Sequence, residues 1–332
     1  MPKADRRLIV IALGGNAILR PGQRGTVAEQ AQNVATTAAQ VVEILKAGYD
    51  VVITHGNGPQ VGNILIQQEA GSELVPPMTL DICGAQSQGQ IGYMIQQSLG
   101  GLLAQAGMSR PVVTVLTQVQ VNPDDPAFSR PTKPVGPFYT EERARRRMAQ
   151  TGETWVEDAG RGWRKVVASP DPVAIVEAAT IRELSQGGTV VIASGGGGIP
   201  VVETAPGIFR GVEAVIDKDL AGQRLATGLG ASAFVILTDV SRVCLEYKTA
   251  RQRELASMSL EEAGAYMAQG HFKPGSMGPK VKAAMRFVEA GGQAAIITSL
   301  DAAVDAITGD AGTWISRNGR RECNLRESQS GL

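Results

Sequence analysis

Histidine is almost missing from this chain. Only His55 and His271 occur among 332 residues, so a multi-histidine metal site is not expected and no metal ligands are assigned. Cysteine is also sparse. Cys83, Cys244 and Cys323 are far apart and odd in number, which fits neither a disulfide framework nor zinc-ligand spacing. No apolar run approaches the ~18 residues that a membrane helix needs. The start of the chain, Met1 to Arg7, runs directly into a strand with no apolar region before a cleavage site, so no signal peptide is read and a cytoplasmic location is the expectation. Excess charge is absent too. The 32 basic and 32 acidic residues cancel, which argues against nucleic acid or a membrane surface as partner. Lysine is the scarcer base, with nine against 23 arginines, so a lysine within a glycine-rich motif stands out.

Apolar and glycine residues are what the chain does have. The 43% apolar content implies a large core, and 40 glycines fall largely at element ends. Three β-rich apolar stretches run into glycines. Arg7 to Leu13 meets Gly14-Gly15-Asn16-Ala17, Tyr49 to Thr54 meets His55-Gly56-Asn57-Gly58-Pro59-Gln60-Val61-Gly62, and Thr189 to Ser194 meets Gly195-Gly196-Gly197-Gly198. Pro59 suits the first position of a helix. Such turns aim backbone N–H groups and a helix dipole at one point, and strand ends of an α/β sheet form its ligand crevice. Three of them together predict a site for phosphate groups.

The remaining pattern alternates strands and helices, the signature of a mainly parallel sheet. Thr26 and Glu29 form a capping box that opens a helix to about Lys46, and Ser259 and Glu262 form another. A long helix from about Thr79 to Gln105 carries Asp81-Ile82-Cys83-Gly84-Ala85-Gln86-Ser87-Gln88-Gly89-Gln90-Ile91-Gly92-Tyr93. Its small residues suit a subunit interface or a buried packing face equally. Val112 to Val121 reads as one strand. Residues 122–172 are rich in Pro, Gly, Arg and aromatics and read as an inserted subdomain that protrudes from the sheet, with a basic run at Arg143, Arg145, Arg146 and Arg147. Asp171-Pro172 reads as the cap of a helix that ends at Gln186. A helix from about Leu300 completes the core, and residues 317–332 form a polar tail.

Lys218, Asp219 and Lys280 sit at helix starts, where a lysine opposes the dipole unless an anion binds. Asp219 between two lysines can orient both. No Walker motif, dinucleotide fingerprint, nucleophile elbow or protein-kinase signature occurs. Glycine turns facing lysines remain, which is how phosphoryl transfer is stabilised by positioning and charge alone.

Jointly, Ala12 to Ala17, Thr54 to Gly62, Asp81 to Tyr93, Pro131-Thr132-Lys133-Pro134, Ile216-Asp217-Lys218-Asp219-Leu220-Ala221, Thr238-Asp239-Val240 and Gly275-Ser276-Met277-Gly278-Pro279-Lys280 resemble carbamate kinase, of the amino acid kinase superfamily. The resemblance covers nearly the whole chain. It implies a three-layer αβα sandwich with a mainly parallel central sheet, a small protruding subdomain and a homodimer. It implies small-molecule substrates, with residues 1–213 holding carbamate or carbamoyl phosphate and residues 214–316 holding ATP or ADP, with Mg²⁺ held mainly by the nucleotide phosphates. The implied catalytic residues are Lys133, Lys218, Asp219 and Lys280. Gly14, Gly15, Asn16, Gly56, Asn57, Gly58, Gly195 and Gly196 are implied for the acyl-phosphate end, and Thr238, Asp239, Val240, Val243, Met277 and Gly278 for the nucleotide. Ser241 to Glu246 departs from the family's usual acidic or small residues followed by an aromatic and an asparagine. This stretch is expected to line the adenine pocket and so to bear on nucleotide preference. A non-catalytic sensor of nucleotide or carbamoyl phosphate, and a related kinase for another small acid, are the competing readings.

Overall fold

A computed structural model describes residues 7–158 and 160–320. The expectations for Cys323, for Met1 to Arg6 and for the tail beyond Arg320 lie outside the described residues.

Eight strands form the central sheet, in the order Ser257–Ser259, Thr313–Ser316, Ala294–Ser299, Ala233–Thr238, Leu8–Leu13, Asp50–His55, Val190–Ile192, Val112–Thr114. Thr313–Ser316 runs antiparallel to Ala294–Ser299, and Ser257–Ser259 runs parallel to Thr313–Ser316. The other neighbours are parallel. A strand points alternate side chains to opposite faces, and these strands are apolar at both parities because both faces are covered. Ile9, Ile11, Leu13, Val51 and Ile53 pack under helices Val27–Lys46, Leu80–Gln105 and Ala303–Thr308. Val10, Ala12, Val52, Phe234 and Ile236 pack under Ala178–Gln186, Lys218–Leu229 and Met277–Glu289. The result is the three-layer αβα sandwich.

Both capping boxes form. Glu29 N–H donates to Thr26 Oγ1 at 3.3 Å, and Thr26 N–H to Glu29 Oε2 at 2.8 Å. Ser259 and Glu262 do the same.

A four-stranded sheet (Ile208–Gly211, Ile199–Ala205, Gln118–Val121, Pro172–Ile175) flanks one edge. Within 122–172, strands Lys133–Tyr139, Trp163–Val167 and Thr154–Glu157 form an antiparallel sheet that carries helix Glu141–Thr151. Tyr139 meets Trp155 edge-on there, with centroids 5.1 Å apart.

Three expectations are corrected. Val112 to Val121 is two strands in two sheets, not one. Thr117 N–H donates to Gln88 Oε1 at 2.8 Å and Thr117 Oγ1 donates to Val115 O at 2.7 Å, which turns the chain out of the central sheet. Asp171-Pro172 does not cap a helix. Asp171 is bound by Arg286 at 2.6 and 2.9 Å, Pro172 opens a strand, where its missing N–H is tolerated, and the helix begins at Ala178. The chain after Leu300 adds a short helix and then the strand Thr313–Ser316, whose four residues are all buried.

Candidate active site

The strands Leu8–Leu13 and Ala233–Thr238 lie side by side at the centre of the sheet and lead to different halves of the chain. Their carboxyl ends open the crevice expected at such a switch point. Gly14 sits where a Cβ would lie 2.8 Å from Leu237 O, so the first glycine turn is pressed against the end of the neighbouring strand. The second turn packs Gly56 against the Lys218 stem, where a Cβ would be 3.3 Å from Lys218 Cδ. In the third turn Gly197 has φ 95° and a Cβ would lie 2.3 Å from Ile216 O. Only glycine combines that conformation with that closeness. The second and third glycine turns thus abut Lys218 and the segment that leads into it.

Asp217 caps helix Lys218–Leu229, with Oδ1 accepting from Asp219 N–H at 2.9 Å and Leu220 N–H at 3.4 Å. Its Oδ2 accepts from Lys133 Nζ at 3.1 Å. Asp219 is 3% exposed. Its two oxygens accept separately from Lys218 Nζ at 2.6 Å and Lys280 Nζ at 3.1 Å. Burial alone would raise the Asp219 carboxyl, but the two lysines outweigh it and hold it below the usual range. Asp219 is therefore a fixed anion between two fixed cations. Lys280 lies in the first turn of helix Met277–Glu289.

Three cavities meet here. One of about 320 Å³ is lined by Gly15, Gly56, Asn57, Gly58, Gly196, Lys133, Arg164, Asp217, Lys218, Asp219 and Lys280, among others. A second, about 390 Å³, is lined by Gly14, Gly15, Asn16, Thr238, Asp239, Lys218 and Lys280. A third, about 510 Å³, is lined by Thr238, Asp239, Val240, Arg242, Cys244, Tyr247, His271, Met277 and Lys280. Among the described residues, Lys280 is the one that lines all three.

Three expected site residues stand apart. Val243 is fully buried in the core. It lies in strand Val243–Leu245, so alternation sends Arg242 and Cys244 to the cavity and Val243 inward. Gly278 is buried behind Met277, with a Cβ position 3.1 Å from Lys273 O. Gly195 is buried, its carbonyl accepting from Gln88 Nε2 at 3.1 Å. Two residues outside the expected set, Asp217 and Gln88, also shape the site. An aspartate just before a helix is a capping signal, but nothing local announces its bond to Lys133, 84 residues away.

Beneath the second turn, His55 is buried with Nδ1 2.9 Å from Gly56 O. Burial pushes it down to about 4, and Lys218 adds to the effect. It is neutral at pH 7.

Among the described residues, no three His, Cys, Asp or Glu side chains gather into a metal cage; Asp217 and Asp219 are bound by lysines, while Asp239 accepts from Thr238 Oγ1. The donor set suits anionic phosphates.

The model of the amino acid kinase family matches residues 7–299. The chain belongs to the amino acid kinase family. Within this family, a carbamate kinase of Pyrococcus horikoshii is 54% identical over 310 residues, spanning 93% of this chain and 98% of that protein. A carbamate kinase of Thermococcus kodakarensis is 53% identical, spanning 93% and 99%. The structure of a carbamate kinase from Giardia lamblia bound to AMP-PNP superposes with a TM-score of 0.89 at 47% identity, covering 94% of this chain and 99% of that one.

Proposed function

We propose that this chain is a carbamate kinase, interconverting ATP plus carbamate and ADP plus carbamoyl phosphate. The observation that carries the reading is the meeting of three cavities at Lys280, two of them also lined by Lys218, with Asp219 holding both amines. The nucleotide is assigned to the 510 Å³ cavity and the acyl-phosphate end to the 320 Å³ cavity.

Carbamate is already an anionic nucleophile, so no general base is required. One of its oxygens bonds to the γ-phosphorus as the bond to the ADP oxygen breaks. The obstacle is bringing two anions together, and preorganised cations lower it. Lys218 and Lys280 offset the charge on the transferring oxygens. Asp219 keeps both amines in place, and Lys133 approaches from the protruding subdomain. Mg²⁺ bound with the nucleotide would supply further charge neutralisation beside Lys218 and Lys280.

The proposal includes a cytoplasmic enzyme run toward ATP in arginine or other nitrogen catabolism. It also includes a homodimer through the outer face of helix Leu80–Gln105, where Ile82 and Tyr93 are exposed. Sedimentation of the protein as single chains at all concentrations would contradict the dimer. Among the described residues no helix is long and apolar enough to cross a membrane.

The test is ATP formation from ADP, Mg²⁺ and a panel of acyl phosphates. Turnover with carbamoyl phosphate is expected to exceed turnover with the others. Nucleotide binding without turnover of any would support the sensor instead.

A further inference from the structure

The small-residue helix Leu80–Gln105 has two consecutive polar residues that are fully buried or nearly so, Ser87 and Gln88. Gln88 braces the third glycine turn through Gly195 O. Ser87 reaches the second turn. Asn57 Nδ2 donates to Ser87 Oγ at 2.7 Å, and Ser87 Oγ donates to Gly84 O at 2.7 Å. A hydroxyl has one hydrogen, and a carbonyl oxygen can only accept. The Ser87 hydrogen is therefore committed to Gly84, and Ser87 can only accept from Asn57. This fixes which end of the Asn57 carboxamide carries nitrogen. A second constraint acts from the opposite side. The carboxamide lies across Gly196, where a Cβ would be 2.2 Å from Nδ2 and 2.4 Å from Cγ. Asn57 is thus held in one orientation, with Nδ2 engaged and no protein donor bound to Oδ1 among the described residues.

Asn57 lines the 320 Å³ cavity. That cavity is rich in donors: Lys133, Arg164, Lys218 and Lys280. Its carboxylates, Asp217 and Asp219, are already occupied by lysines. Asn57 Oδ1 is the amide acceptor left over, and Ser276, shared with the nucleotide cavity, adds a hydroxyl. We propose that Ser87 is a positioning residue for substrate selection: it locks the Asn57 carboxamide so that Oδ1 receives an N–H from an acyl group bearing an amino substituent. The inference rests on the carbamate kinase reading and names the feature by which that site tells a carbamoyl from an acetyl group, which replaces the amino group by a methyl of similar size.

The experiment measures ATP formation from ADP and carbamoyl phosphate, with acetyl phosphate as competitor, in wild type and Ser87→Ala. Without Ser87 the carboxamide is free to turn and present Nδ2, so a donor meets a donor. The KM for carbamoyl phosphate is expected to rise about tenfold, the order of one hydrogen bond. The constant with which acetyl phosphate competes should change less than about twofold, which also reports an intact site. Parallel weakening of both ligands, or an unchanged KM for carbamoyl phosphate, overturns the role of Ser87 and leaves the enzyme assignment standing. A wild-type protein with no turnover of carbamoyl phosphate overturns both.

Discussion

The arginine-rich helix Glu141–Thr151 and the lysines at the crevice both set cations beside carboxylates at similar distances. Arg145 lies 2.6 Å from Glu141, and Lys218 lies 2.6 Å from Asp219. Their surroundings differ. The Arg145 and Glu141 side chains are 68% and 55% exposed, whereas those of Lys218 and Asp219 are 19% and 4% exposed. Water screens the first pair, and its attraction is worth little. In the second, little water intervenes, and losing one partner leaves a poorly hydrated charge. Equal distances therefore carry unequal energies, and the Lys218–Asp219 pair lines the crevice.

The largest effect is expected for Asp219→Ala. Both lysines lose their carboxylate, and stability should fall by about 3 kcal/mol, the lower end for a broken buried pair because both amines keep some contact with water. Turnover should fall on the order of 10²-fold as the amines lose their aim. Urea unfolding and initial rates measure the two effects. A variant as stable and active as wild type would place Asp219 on a par with the surface pairs.

Burial of a titratable group also shows in the pH dependence, at His55. Its folded value is about 4, against about 6.5 in an unfolded chain. The stability it contributes is complete above about 6.5 and is lost as pH falls toward 4, roughly 3 kcal/mol in all. Asp219, held below its ordinary value, acts in a lower window, losing its contribution as pH falls from about 4 through its folded value. His55→Gln should flatten the stability profile between pH 6.5 and 4 and leave the more acidic limb in place. A profile unchanged in that window would show that His55 is not kept neutral by burial.

The protruding subdomain supplies an intermediate case. Arg143 binds Glu69 at 2.7 Å and covers the Tyr139 ring at 4.4 Å, and Glu69 also accepts from Tyr139. Arg143→Ala should cost about 1 kcal/mol in urea unfolding, as a partly exposed pair with an added cation–π contact. Arg145→Ala should cost less than about 0.5 kcal/mol. A reversed ranking would mean that the subdomain is held by its surface pairs.

The same contrast explains what was legible in the sequence. Alternating apolar strands and their glycine ends were readable because periodicity and turn chemistry are local. So were the capping boxes at Thr26 and Ser259. Lys218, Asp219 and Lys280 stood out because a lysine at a helix start is locally odd. The break at Thr117 was hidden, since it depends on Gln88, 29 residues away. The split at Val243 was hidden too, because an apolar residue beside a pocket gives no sign of which face it takes. Ser87 reads as one small residue among many until its hydrogen bonds to Asn57 and Gly84 are seen.

The proposed mechanism makes Lys218 and Lys280 one clamp on the transferring phosphoryl group. The most direct measurement is the rate of ATP formation from ADP and carbamoyl phosphate in Lys218→Ala and in Lys280→Ala, alongside calorimetric ADP binding by Lys218→Ala. Each variant is expected to lose roughly 10²–10³ in kcat, while ADP still binds Lys218→Ala. Turnover near the wild-type rate in either variant would contradict the clamp.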